Sequence, residues 1–217
     1  MPSMEPATEL SSSPQSSARR ASAAAPPDID QRVILNGMTW KDFEMLLTIR
    51  GESSGVRMAY LHGSIELMSP SADHESIKKT IARLVEVYAD ERGLDLNGYG
   101  SWTIKNALLE RGLEPDECYV LGSARKNVPD LAIEVVWTSG GLHKLEIYRG
   151  LGIREVWQWA EETGITVHLL REGRYQPATA SALLPDLDIA LLSSFAQAQS
   201  QSQAVRAFRA ALRRPAE

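Results

Sequence analysis

Three carboxylates near the middle of the chain stand where metal or acid–base chemistry could be built: Asp116 after Pro115, Asp130 after Pro129, and Glu134. Glu134 belongs to Val128-Pro129-Asp130-Leu131-Ala132-Ile133-Glu134-Val135-Val136-Trp137, a run dominated by strand-forming residues. Its near-continuous hydrophobicity reads as a strand covered on both faces, with Pro129 at the start, where a missing N–H does least harm. An ionised Glu inside such a strand needs a partner, because burying a lone charge costs several kcal/mol or more. The pattern therefore predicts a cation facing Glu134. Side chains alternate along a strand and each residue advances about 3.3 Å, so Asp130 and Glu134 share a face roughly 13 Å apart. That is too far to hold one ion, and Pro-Asp before a strand is also ordinary turn chemistry. Asp116 precedes the neighbouring strand, where cross-strand separations of about 5 Å are available. Asp116 and Glu134, with a backbone carbonyl and water, would form an oxygen site suited to Mg²⁺. The plainer alternative makes Asp116 a loop acid.

Lys144 supplies the sharper clue. At 100° per residue Lys144, Ile147, Tyr148 and Leu151 fall in one sector of a helix, with Glu146 and Arg149 opposite. A lysine within an apolar stripe either snorkels to water or meets a buried anion. His74 projects to the same side of a long helix as Ile77, Ile81 and Tyr88, the alternative being a satisfied helix N-terminal histidine. Glu66, in the strand before that helix, is an acid within reach of the same region or an ordinary outer-face charge. His62, His143 and His168 have no zinc spacing, and no glycine-rich phosphate loop or G-x-S-x-G elbow occurs.

The elements that must position these residues follow from periodicity and punctuation. A helix over 38–47 capped by Thr39 precedes a hairpin of strands 57–61 and 64–68 around His62-Gly63. Asp73 is expected to cap a helix running to about Arg92, with Ile77, Ile81, Leu84, Val85 and Tyr88 as its stripe and Gly93 closing it. Strands are expected at 95–99, 102–104, 117–121, 128–137, 153–159 and 165–170, with a helix over 142–151 ended by Gly152. Residues 174–177 and 183–189 read as docking pieces, and 191–214 as a final helix with a basic end. The result is an α/β or α+β domain with a mixed central sheet.

The chain has 217 residues, 43% hydrophobic, with one cysteine and a net charge of −5. That length fits one domain with tails: a Ser/Ala/Pro-rich stretch over 1–28 expected to be disordered, a domain over 33–196, and a C-terminal helix and basic tail over 197–217. No apolar run is long enough for a membrane span, and the start lacks a charged-then-apolar leader, so a cytoplasmic protein is expected. Cys118 alone permits neither an internal disulfide nor an all-cysteine metal site, and reads as a packed thiol. Residues 1–30 hold four acids and two bases and residues 205–217 four bases and one acid, leaving the middle near −6. A strong bulk grip on nucleic acid is thus not expected, although Lys78-Lys79-Arg83, Arg125-Lys126 and the C-terminal arginines offer local basic patches.

Four segments together resemble the Uma-two family of restriction endonucleases, within the PD-(D/E)XK nuclease superfamily. They are Leu113-Glu114-Pro115-Asp116-Glu117-Cys118-Tyr119, the Val128–Val136 run, Lys144 with Ile147-Tyr148, and Gly152-Ile153-Arg154-Glu155-Val156-Trp157. Residues 63–70 followed by His74 are similar to that family's hairpin-to-helix passage. The resemblance spans about residues 33–196 and implies a restriction-endonuclease-like mixed sheet flanked by helices. It also implies a Mg²⁺-dependent endonuclease acting on DNA, with Mn²⁺ as a substitute ion and a homodimer compatible with it. Asp116 matches the first acid and Glu134 the second, and the Val135 carbonyl would join them at the metal. The strand lysine position is Val136, a departure, with Lys144 on the following helix in its place. His143 stands where the family often carries Asp. Glu66 or His74 would assist a second ion or a proton transfer. Superfamily analogy gives 5′-phosphate and 3′-hydroxyl ends. Two other classes remain: an inactive nuclease fold binding DNA or a protein partner, and a hydrolase of smaller phosphodiesters.

Overall fold

His62 and Gly63 both take positive φ (47° and 84°), the geometry that lets a two-residue turn follow the twist of its strands. They join β2 (Arg57–Leu61) to β3 (Ser64–Ser69), the centre of the first of two sheets. In the computed structural model, which describes residues 29–53, 55–123, 126–137 and 140–213, this sheet runs β1-β3-β2-β6-β5 and is antiparallel throughout. Its other strands are β1 (Gln31–Asn36), β5 (Ile104–Asn106) and β6 (Arg111–Leu113). Helix α1 (Trp40–Arg50) covers one face through Phe43, which packs with Met58, Tyr60 and Ile65. The sequence suggested neither β6 nor an ordered strand as early as Gln31. Residues 1–28, Arg125 and Arg214, all used in the sequence reading, lie outside the described residues.

The second sheet runs β11-β10-β9-β8-β7-β4. It comprises β4 (Leu96–Gly98), β7 (Glu117–Leu121), β8 (Leu131–Val135), β9 (Glu155–Ala160), β10 (Gly164–Arg171) and β11 (Arg174–Ala178). Within it β8 and β9 pair in parallel, so the chain must cross over between them, and α3 (Lys144–Leu151) makes that crossing. One face packs on α2 (Ala72–Arg92), α4 (Ile189–Ser194) and α5 (Gln201–Leu212) through Ile81, Leu84, Ile133, Trp157 and Phe208. On the other, Ala132 and Val156 meet Ile147 and Tyr148 of α3, with Ala59 and Leu113 of the first sheet behind them. The expected α+β class with a mixed sheet is found, but the strands divide into two sheets. Residues 174–177 form part of an edge strand.

Three element ends differ from expectation. Ser71, and not Asp73, caps α2, because its hydroxyl accepts the N–H of His74 at 3.2 Å; Asp73 falls in the first turn, where its charge suits the helix dipole. Helix α3 starts at Lys144 with His143 as cap, since the Leu142 N–H is given to Glu66 instead. The expected helix over 191–214 is broken after Ser194 and restarts past the Ser200 cap, so that Phe195 meets Phe208 edge-on at 5.9 Å. Cys118 is buried and its thiol is pushed up to about 12 by burial, an inert packed group. No helix among the described residues is long and apolar enough to cross a membrane.

Candidate functional site

Register explains how the two acids meet. Strands β7 and β8 pair antiparallel with Glu117 opposite Ile133, and one further step sets Asp116 opposite Glu134. Alternation turns Ile133 and Val135 toward α2, and Ala132 and Glu134 toward α3. There Lys144 Nζ lies 2.5 Å from Glu134 Oε2, and the Tyr148 hydroxyl donates to Oε1. Glu134 is 1% exposed, so the cation required by its buried charge is the lysine of the apolar stripe. Burial pushes the Glu134 carboxyl up further than Lys144 pulls it down, with Asp116 adding to the rise. Burial would lower Lys144, but Glu134 and Asp116 outweigh it and hold the ammonium charged. Burial and Glu134 keep Tyr148 protonated as a donor.

Asp116 is held from three sides. Its Oδ1 accepts from Arg57 Nε at 2.9 Å, and its Oδ2 accepts the Val135 N–H at 2.8 Å with His74 Nε2 at 3.0 Å. Burial alone would raise its pKa, but His74, Lys144 and Arg57 hold it well below the usual carboxylate range. His74 is itself fully buried, and its Nδ1 lies 2.9 Å from Asp30 Oδ2. Burial lowers its pKa, yet Asp116 and Asp30 more than compensate and raise it to about 9. Asp30 also accepts the Ser71 N–H at 2.9 Å, and Arg57 continues to Glu75 at 2.7 Å.

Glu66 has a different task. Its Oε2 accepts the Leu142 N–H at 2.7 Å and lies 3.5 Å from Arg32 Nε, tying β3 and β1 to the lead-in of α3. A Cβ at Gly141 would come 2.5 Å from Glu66 Oε2, so a larger residue there would displace that carboxylate. Beside it opens a cavity of about 280 Å³ whose lining includes Arg32, Glu66, Glu134, Val135, Val136 and Lys144.

The structure thus brings Asp116, Glu134 and Lys144 together, with the Val135 backbone against Asp116, Glu66 at the cavity wall and His74 behind Asp116. Asp130 stays apart, clamped at the start of β8 by Lys126, Arg154 and the Leu121 N–H. Arg57, Asp30 and Tyr148 were missed: Arg57 reads as a hairpin charge, Asp30 borders a low-complexity stretch, and Tyr148 passes for core. Of the basic patches, Lys78 pairs with Glu75, and Arg209 and Arg213 with Glu91.

Among the described residues no three His, Cys, Asp or Glu side chains form a ready metal cluster. The donor set still suits a hard cation. A carboxylate offers about four lone-pair positions, of which Asp116 commits two to Arg57 and Val135, with His74 in ion-pair contact, and Glu134 two to Lys144 and Tyr148. Oxygen lone pairs remain on both acids, as Mg²⁺ binding with retained waters would need.

A family model described as Uma2, putative restriction endonuclease, matches residues 40–204. A crystal structure from Anabaena variabilis, described as that of a putative nuclease belonging to DUF820, is similar with a TM-score of 0.52 at 16% identity, covering 73% of this chain and 99% of that one. At that identity the likeness is one of fold, and it agrees with the expected restriction-endonuclease-like architecture. No curated protein matches the chain.

Proposed function

The chain belongs to the Uma2 family, described as putative restriction endonucleases, and on that premise we propose that it hydrolyses DNA phosphodiester bonds with a divalent metal ion, Mg²⁺ or Mn²⁺, at Asp116, Glu134 and Lys144. The observation that carries this reading is the meeting of two buried carboxylates on adjacent strands with a lysine from a separate helix, beside a cavity. Asp116, Glu134 and the Val135 carbonyl would hold the ion, which when bound polarises a phosphoryl oxygen and acidifies a bound water.

The chain's own residues have separable tasks. Lys144 Nζ, one hydrogen bond from Glu134, is placed to donate to a phosphate oxygen as charge grows there. Tyr148 fixes the rotation of the Glu134 carboxylate, and Arg57 and His74 keep Asp116 ionised and oriented. Glu66, through Leu142, fixes the segment that leads into Lys144. Glu66 Oε2 is engaged with Leu142 and Arg32 while the residue lines the cavity, and both His74 ring nitrogens lie against carboxylates; either would assist a second ion or a proton transfer only from those positions.

Plasmid nicking with Mg²⁺ or Mn²⁺, beside EDTA, Glu134→Ala and Lys144→Ala controls, tests the proposal. Metal-dependent cutting lost in both variants is expected. An absence of cutting together with an absence of metal binding by calorimetry would favour the second reading, an inactive nuclease fold that binds DNA or protein. What favours that reading is Val136 at the strand position where the superfamily pattern has lysine, and the pairing of Lys78, Arg209 and Arg213 with acids.

A further inference from the structure

Asp30 lies upstream of the segment that the family model matches, yet it is buried beneath the candidate site. Its two oxygens do different things: Oδ1 accepts the N–H of Ser71, the cap of α2, and Oδ2 meets His74 Nδ1, both at 2.9 Å. The Ser71 hydroxyl in turn accepts the His74 N–H. The lead-in to β1, the first turn of α2 and the imidazole are therefore one hydrogen-bonded unit. An imidazole is a rigid plane with its two nitrogens on different edges, so anchoring one end aims the other. The other end, Nε2, lies 3.0 Å from Asp116 Oδ2 as an ion-pair contact without hydrogen-bond alignment, while Arg57 holds Oδ1. His74 is fully buried and sits on the side of Asp116 away from Glu134, so any part it takes is through Asp116.

We propose that Asp30 is a positioning residue for the Asp116 carboxylate, acting through the His74 ring and setting the angle at which Asp116 meets a divalent cation. The proposal rests on reading Asp116 as a metal ligand. Groups that touch a metal-ligating side chain directly are worth about 10- to 100-fold in metal affinity; Asp30 acts one residue further back, through His74, so the low end of that range applies.

The test compares full-length Asp30→Ala, Asp30→Asn and Ser71→Ala, with Mn²⁺ affinity measured by calorimetry and kcat and KM on plasmid. Ser71→Ala removes the α2 cap without touching the ring, and so reports stability alone. Asp30→Ala is expected to weaken Mn²⁺ binding about 10-fold and to lower kcat with KM little changed. Ser71→Ala should lower the melting temperature and leave Mn²⁺ affinity intact. Should Asp30→Ala not fold, Asp30→Asn, which keeps one acceptor, is expected to show an intermediate loss. Wild-type Mn²⁺ affinity in a folded Asp30 variant would overturn the proposal, as would an equal loss in Ser71→Ala. Hydrogen exchange at the His74 ring N–H facing Asp116 decides the matter without metal: slow in the wild type and fast in Asp30→Ala is expected, and unchanged exchange would overturn it. Failure of the wild type to bind Mn²⁺ would instead count against the metal-dependent reading of the site.

Discussion

Glu114 and Glu134 are both buried glutamates, and they are satisfied very differently. Glu114 receives Arg50 in a two-pronged contact at 2.8 and 2.6 Å, the Thr103 hydroxyl at 2.6 Å and the Met58 N–H at 3.0 Å. Those four donors fill about all the lone-pair positions a carboxylate has. Glu134 receives two donors among the described residues, Lys144 and Tyr148, with Asp116 opposite and a cavity alongside. A carboxylate saturated by its own protein has nothing left to offer a cation; one left short at comparable burial does. Buried acids are thus better distinguished by their unfilled acceptor positions than by their burial or charge.

The comparison breaks first under substitution of the two acids. Glu134→Gln should reduce metal-dependent nicking to background while the protein stays folded. Glu114→Ala should cut normally per folded molecule but lose about 3 kcal/mol or more in urea unfolding, because Arg50 is left buried without its partner. The reverse pattern would sink the distinction. Lys144→Ala should slow cleavage by about 10²-fold without weakening Mn²⁺ binding, since a cation competing for Glu134 is removed. Adding Val136→Lys, two residues from Glu134 on the same strand face, should restore part of the rate. Full activity of the single variant would exclude lysine from the chemistry.

A smaller effect is expected at Glu66. Glu66→Gln keeps an acceptor for the Leu142 N–H and should stay within a few-fold of wild type, whereas Glu66→Ala should lose about 10-fold in kcat through misplacement of Lys144. Equal losses in the two would mark Glu66 as a metal ligand. A separate effect is on stability against pH. His74, raised from 6.5 to about 9, contributes stability fully present below pH 6.5 and lost as pH climbs through about 9. The unfolding free energy of the wild type, from urea titrations, should fall over that window by an amount on the order of 3 kcal/mol, and His74→Gln should flatten the slope.

Local pattern made much of this legible. The apolar run around Glu134 and the stripe containing Lys144 each announce burial, and a buried acid and a buried base on consecutive elements are expected to meet. Cross-strand geometry gave the partnership of Asp116 with Glu134 before any register was known. Arg57 and Asp30 were beyond that reach, because their contacts join positions 59 and 44 residues apart and leave no periodic trace. Tyr148 was hidden in another way: its ring packs as core while its hydroxyl serves Glu134, and a stripe of apolar residues does not report a polar tip. The split into two sheets was illegible because β5 and β6 are three residues each, too short for alternation to register.

Helix α3 is wedged between the sheets, with Ile147 and Tyr148 against Ala59 and Leu113 on one side and Ala132 and Val156 on the other. The chain joining β6 of the first sheet to β7 of the second is Glu114-Pro115-Asp116. Neither sheet alone can assemble the acids, the arginine and the lysine. These contacts are separated by long stretches of chain, so they form late in folding, when loop closure has been completed. In a refolding experiment, recovery of cleavage should lag behind recovery of tryptophan burial in the second sheet, which makes the reaction itself a clock for the docking of the two halves.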